Sequence, residues 1–369
     1  MAQEFLQFVR RPTFRPAIML PSAIVLIFSL FTLSAATDPQ RVLPVVSVGI
    51  VDLDADSPAA LGTRLAAGLD AALPMAVIPF AAEATARGAL DEGDVAAVLI
   101  IPSGFSAAVA AGDAIRLPVL ASQHLSQIES QLATTLPAQL QAVIGGAVAG
   151  LASGGEAPAA PTIVVAPELL HAAPNATALV APPTMLQATW LAALAGSILL
   201  FLTTRGDRRR EAALPVAILR SAVPPVAFAI AGLVLAFVVC WTTGLWSSFL
   251  ALWATVWISA TGVALLSMGL FSVLGFFAIV ILLPTVFYQA ALAGAQAPIA
   301  ALPDWLGWAA DLFPFHAVIE GYRRVLIGGP DGWSPWGTML VVAASGLALI
   351  WIGTFLYARR SPVPIAPAA

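Results

Sequence analysis

The sequence predicts an α-helical polytopic membrane protein of six transmembrane helices with an inserted extracytoplasmic α/β domain. Three observations predict it. The 369 residues are 60% hydrophobic and 10% charged, whereas soluble domains carry roughly 25% charged residues. Six apolar runs have the length a bilayer demands, roughly 20 residues for a hydrocarbon core about 30 Å thick. Between the first and second runs, residues 37–183 contain no such run and alternate strand and helix patterns instead. Mean hydropathy is +0.92.

In chain order, residues 1–15 are a short N-terminal segment with Arg10, Arg11 and Arg15. The first span is expected over 16–36. Its basic start and small-residue end (TLSAAT) also fit a cleavable signal. The apolar run is longer than the roughly 7–15 residues of a signal core, so an uncleaved anchor is expected. In the 37–183 domain, VVSVGIV (45–51) reads as a buried strand. A helix is expected over 58–72, with Ser57 as its cap and Pro58 in its first turn. A strand (75–80), a helix (82–91), a strand (95–101), a helix opened by PSGFS and a strand (115–121) follow. A longer helix, about 124–151, is expected to be interrupted by Pro137, and 152–161 reads as a linker. Asp52, Asp54 and Asp56 alternate as at the start of an EF-hand calcium loop. The sixth and twelfth positions of that loop are Ser57 and Thr63 instead of Gly and Glu. The expected role is therefore a polar strand-to-helix turn, its acids favoured near a helix N-terminus.

The other spans are expected at 184–204, 221–243, 249–269, 272–293 and 338–358, within a five-helix membrane domain 184–358. A cytoplasmic loop (205–220), an external loop (294–337) and a tail (359–369) complete the chain. None of the six spans contains Asp, Glu, Lys, Arg or His, the residues most costly at a bilayer centre. Pro224, Pro225 and Pro284 predict kinks. In the external loop, Trp305, Trp308, Phe313, Phe315, Trp333 and Trp336 suit an interfacial aromatic belt. Glu320, Arg323 and Arg324 have the i, i+3, i+4 spacing of a surface ion pair.

The chain has no lysine; its sixteen basic residues are all arginine. Six spans put both termini on one side. Charges on that side sum to +7 and on the other to −11, together the chain's −4. Arginine-rich short loops stay in the cytoplasm, which predicts cytoplasmic termini and an external α/β domain. Without lysine a Walker A loop is impossible, so the chain is not itself a P-loop ATPase. No Ser/His/Asp set, carboxylate pair or H-E-x-x-H stands out, and no catalytic residue or cofactor is expected. His124, His171, His316 and the lone Cys240 have no metal-ligand spacing. The basic loop is too small and too close to the membrane for nucleic-acid binding.

Four stretches carry a resemblance. They are EFLQFVRRPTFRPAIMLP, VVSVGIVDLDADSPAALGTRLAAGL, ALDEGDVAAVLIIPSGFSAAVAAGD and LFPFHAVIEGYRRVLIGG. With their order along the chain they resemble the permease subunit of ATP-binding-cassette type-2 exporters, close to the phage-infection-protein-like branch. The first is similar to the family's amphipathic elbow segment. The next two are similar to its domain between spans 1 and 2, including Gly93 to Ser106, and the fourth to the segment before its last span. The resemblance implies export of a hydrophobic or amphipathic substrate across a bacterial inner membrane. It implies a separate cytoplasmic ATP-binding-cassette ATPase and a homodimer or permease pair in the lipid bilayer. It gives the loop of Arg205, Arg208, Arg209, Arg210 and Glu211 a second expected role, docking that ATPase, although TRGDRRREAAL departs from the family's R-E-R-G-T-like run. Gln187, Tyr288 and Gln289 are expected along the pathway or the dimer seam, with interhelical hydrogen bonding as the alternative. A reading of another class remains beside it: a membrane-anchored scaffold or receptor whose external domain binds a partner protein without transport.

Overall fold

The computed structural model describes residues 42–152, 162–204, 213–329 and 334–360. The first predicted span and the loop of Arg205, Arg208, Arg209, Arg210 and Glu211 lie outside them, as do Trp333 and the tail beyond Arg360.

The N-terminal part is an α/β domain. Its strands are β1 (Ser47–Asp52), β2 (Ala76–Phe80), β3 (Ala97–Ile101), β4 (Ile115–Ser122) and β5 (Ile163–His171). They form one sheet in the order β2-β1-β3-β4-β5. Every neighbouring pair is parallel except β3–β4, which is antiparallel. The helices are α1 (Leu61–Ala72), α2 (Glu83–Glu92), α3 (Phe105–Ala111) and α4 (Gln127–Ala152). The central β3 is buried along its whole length, as expected of a strand covered on both faces. Gly49 of β1 is needed for close approach, since a Cβ there would stand 2.9 Å from the Phe80 ring.

Sequence and structure differ at three places in this domain. Helix α1 begins at Leu61, and Ser57 does not cap it. Ala60 holds the N-cap position in the left-handed region, at φ 47°. Helix α4 is not interrupted at Pro137. A proline removes one backbone bond, and Leu136, Leu140 and Ile144, all fully buried against the sheet, hold the helix through it. Strand β5 was not anticipated, because Pro167 and Glu168 argue against a strand. It is an edge strand, where proline is tolerated.

The C-terminal part is helical. It contains α5 (Ala176–Thr204), α6 (Ala213–Thr243), α7 (Phe249–Leu274), α8 (Ala278–Leu292), α9 (Asp304–Leu312), α10 (Phe315–Leu326) and α11 (Ser334–Arg360). Among the described residues, four helical stretches are long and apolar enough to cross a membrane: Ala176–Thr204, Ala213–Thr243, Trp246–Leu292 and Ser334–Arg359. On α6, Val226, Ile230 and Val234 are each more than 60% exposed. Their i, i+4, i+8 spacing makes a continuous apolar stripe suited to lipid. Two predicted spans, 249–269 and 272–293, fall in one 47-residue helical run. Gly275, at φ 63°, divides it into α7 and α8. Helix α8 has 15 residues, about 22 Å at 1.5 Å per residue, short of the bilayer core on its own. Helix α5 starts eight residues before its predicted span. Asn175 caps it, its Oδ1 accepting from Ala178 N at 2.9 Å. The Asn175 amide also donates to Thr243 O at 2.7 Å, tying the start of α5 to the end of α6.

Helices α7 and α11 touch through glycines spaced by seven on each: Gly262 lies against Met339, Gly269 against Gly346 O, Gly346 against the Leu265–Leu266 backbone and Gly353 against Ser272. A Cβ on Gly346 or Gly353 would collide with the backbone of Leu265 or Ser272. Small residues at this spacing let two membrane helices approach backbone to backbone.

Candidate functional site

The α/β domain meets the helical part where β4, β5 and α4 reach the segment 294–329. Chain chemistry builds this junction. Ser126 and Glu129 form a capping box at the start of α4. The Glu129 carboxylate accepts from Ser126 N at 3.0 Å, and Glu129 N donates to Ser126 Oγ at 3.3 Å. The next two backbone N–H groups, Gln127 and Ile128, have no acceptor within their own helix. They donate to Ala295 O and Gln296 O of the segment after α8, at 3.0 and 2.9 Å. Ala297 continues this contact into the core of the α/β domain.

Strands β4 and β5 carry two histidines to the same place. His124, just past β4, is 3% exposed and its Nδ1 is 2.7 Å from Ser122 Oγ. His171, at the end of β5, lies 2.8 Å through Nε2 from Asp91 Oδ1. The two rings meet edge to face at 5.3 Å. Gly328 and Gly329, both with positive φ, bring the chain after α10 against them. A Cβ on Gly328 would stand 3.0 Å from His171 Nδ1. Burial lowers the pKa of His124 from 6.5 to about 4, so the ring is neutral at pH 7. Glu320 and Asp91 oppose that shift, while His171 and Arg323 reinforce it.

Helix α10 supplies the other wall. Arg324 Nε donates to Glu320 Oε1 at 3.0 Å. The sequence suggested a surface pair, yet these side chains are only 14% and 16% exposed and line the same cavity as His124 and Asp91. Arg323 is buried and donates through Nη2 to Gly294 O at 3.1 Å. A cavity of about 700 Å³ opens between these walls and the start of α11.

A second polar centre lies within the helical part. Arg220, assigned by the sequence to the loop, is buried on α6. It donates to Thr204 Oγ1 (3.0 Å), Ser272 Oγ (3.2 Å) and Thr354 Oγ1 (3.4 Å). Its guanidinium also sits 5.3 Å from the centre of the Phe201 ring. Four helices are thereby joined through one cation.

The predicted pathway residues do not share one environment. Gln187 is on an exposed face of α5 and Tyr288 is half-buried. Gln289 is buried, donating to Val286 O at 3.1 Å, while its Oε1 has no partner among the described residues. The junction cluster of Asp91, His124, Glu129 and His171 was not found from sequence. Its members lie up to 80 positions apart, and only S-x-x-E (Ser126 to Glu129) left a local signal. Among the described residues no group of His, Cys, Asp and Glu is placed to hold a metal ion. Asp52, the last residue of β1, and Asp54, just past it, act as acceptors. Asp52 accepts from Thr63 Oγ1 and Asp54 N, both at 3.0 Å.

No protein-family model matches the chain, and no curated protein matches it. A solved structure similar to part of it is the crystal structure of a domain described as from an ABC type-2 transporter of Thermotoga maritima MSB8. It shares 18% identity, covering 33% of this chain and 86% of that one, with a TM-score of 0.27. A likeness this slight does not bear on what the chain does.

Proposed function

We propose that this chain is the transmembrane permease subunit of an ATP-binding-cassette type-2 exporter, moving a hydrophobic or amphipathic substrate out of a bacterial cell with energy from a separate ATPase. The observation that carries this reading is the junction. An α/β domain inserted ahead of the long apolar helices is bonded, backbone to backbone, to the segment between α8 and α9. In this reading the joint couples the helices to the domain as the transporter shifts between two states. The motifs that resemble the exporter family lie on both sides of it: Gly93 abuts Leu125, and LFPFHAVIEGYRRV supplies α10. In this reading two permease chains pair, and the arginine loop faces the cytoplasm and the ATPase.

The test is co-purification. The chain is extracted in detergent from its native membrane, and an ATP-binding-cassette ATPase is sought among its partners. Replacing Arg208, Arg209 and Arg210 with lysine retains charge but removes the planar fork that pairs bidentately with carboxylates. The triple variant should insert normally and recover about tenfold less ATPase, the loss expected from one charge-assisted hydrogen bond. Absence of any ATPase from wild-type preparations would favour a scaffold or receptor.

A further inference from the structure

We propose that the cavity at the domain junction binds an amphipathic ammonium, a cation with N–H donors carried on an apolar body. Naming this ligand as the exported substrate rests on the permease reading; the binding itself does not.

The volume, about 700 Å³, lies within the roughly 300–1,000 Å³ of small-molecule sites. Five carboxylates line it, those of Asp91, Glu92, Glu129, Asp311 and Glu320, against the two guanidiniums of Arg323 and Arg324. Arg324 is paired with Glu320, and Arg323, which donates to Gly294 O, lies in the field of Glu320 and Glu129. Glu92 and Asp311, at the mouth, make no hydrogen bond or ion pair among the described residues. Five carboxylates against two guanidiniums leave the lining net negative.

The deep wall adds independent evidence. His124 is 97% buried and lines the cavity. Ser122 engages its Nδ1, while its Nε2 has no hydrogen-bond partner among the described residues. That nitrogen keeps contact with the cavity, where a ligand N–H can reach it. In the tautomer whose Nδ1–H donates to Ser122 Oγ, the neutral His124 ring accepts through Nε2 without repelling a cation. Glu129 reinforces the preference: Ser126 N occupies one of its oxygens, leaving the other for a donor. Apolar surface from Ile299, Leu312 and Phe313 completes the lining and suits an alkyl or aryl body. A bare metal ion is a poorer fit, because no three ligating groups converge among the described residues.

The test uses the full chain in nanodiscs of zwitterionic lipid, without any ATPase, with binding followed by calorimetry. The probes are 4-phenylbutylammonium and 4-phenylbutyrate, which share an apolar body and differ in charge. The ammonium should bind saturably at one per chain, at least about tenfold tighter than the carboxylate. The surface double variant Glu92→Gln/Asp311→Asn, which touches no packed group, should weaken ammonium binding by about fivefold. His124→Gln should weaken it as well. Equal binding of the two probes, no saturable signal above empty nanodiscs, or full affinity in the double variant would each overturn the proposal. Binding as described together with no ATPase in co-purification would overturn the permease reading and leave the site standing. An ATPase partner with no ammonium binding would do the reverse.

Discussion

Asp54 shows how much one side chain can organise. Its carboxylate is buried and accepts from Gly104 N at 3.0 Å, Ser106 N at 2.9 Å and the Ser106 hydroxyl. It thus caps the start of α3 from 50 residues away, while Ser106 Oγ accepts from Leu61 N at the start of α1. Asp54→Ala would strand the buried N–H of Ser106 and the buried Ser106 hydroxyl, and free the N–H of the exposed Gly104; it should destabilise the domain by about 2 kcal/mol. Asp56→Ala, at an exposed neighbour, should be close to neutral. Denaturant unfolding of both variants checks this, and equal losses would point back to a shared ion-binding role. His124 gives a pH prediction. Its folded pKa, about 4, lies below its unfolded value of 6.5, so the unfolded chain binds the extra proton between them. Stability should be fully present above pH 6.5, fall as pH drops toward 4, and level off below. The charged and titratable groups facing the ring are Asp91, Glu320, His171 and Arg323. Melting curves from pH 7 to 4 should show a shallower decline in His124→Gln than in the parent, because that variant loses only this ring's contribution.

At the scale of elements, the contact of α7 with α11 depends on four glycines. Gly346→Ala places a methyl against the Leu265–Leu266 backbone, which cannot move aside as a side chain can. The helices must separate, at a cost of about 1–3 kcal/mol for overpacking. Gly337→Ala, on the same helix with nothing within 4 Å, should be neutral or slightly stabilising. Thermal unfolding in detergent distinguishes them. Arg220 reaches the same pair of helices, bonding Ser272 on α7 and Thr354 on α11, one residue beyond Gly353. A backbone contact and a buried cation thus fasten one end of the helical part together.

At the scale of the whole molecule, the open matter is sidedness. The +7/−11 split of charge predicts a cytoplasmic arginine loop. A cysteine at Ser153 should react with a membrane-impermeant thiol reagent in intact spheroplasts, and one at Ala212 should not. The native Cys240 is buried and gives little background. Labelling at Ala212 alone would invert the orientation. The junction adds a mechanical expectation. Because Gln127 and Ile128 bond to Ala295 and Gln296, a disulfide across this joint should restrain the domain and the helices together.

Composition and hydrophobic period alone determined that long apolar helices accompany an α/β domain, and where β1, β2, β3 and β4 lie. Both signals are local: a strand such as Ala97–Ile101 is apolar throughout because both its faces are covered, and a membrane helix is apolar because lipid offers its side chains no polar partner. The burial of Arg220, the union of His124 with His171 and Asp91, and the shielding of Glu320 and Arg324 were decided only by the tertiary structure. Each depends on contacts between residues far apart in sequence, and a charged side chain in the sequence looks the same whether water or a folded domain will cover it. Strand β5 belongs with these. Its Pro167 and Glu168 deny it a strand's local signature, and it pairs because β4 presents a sheet edge to it.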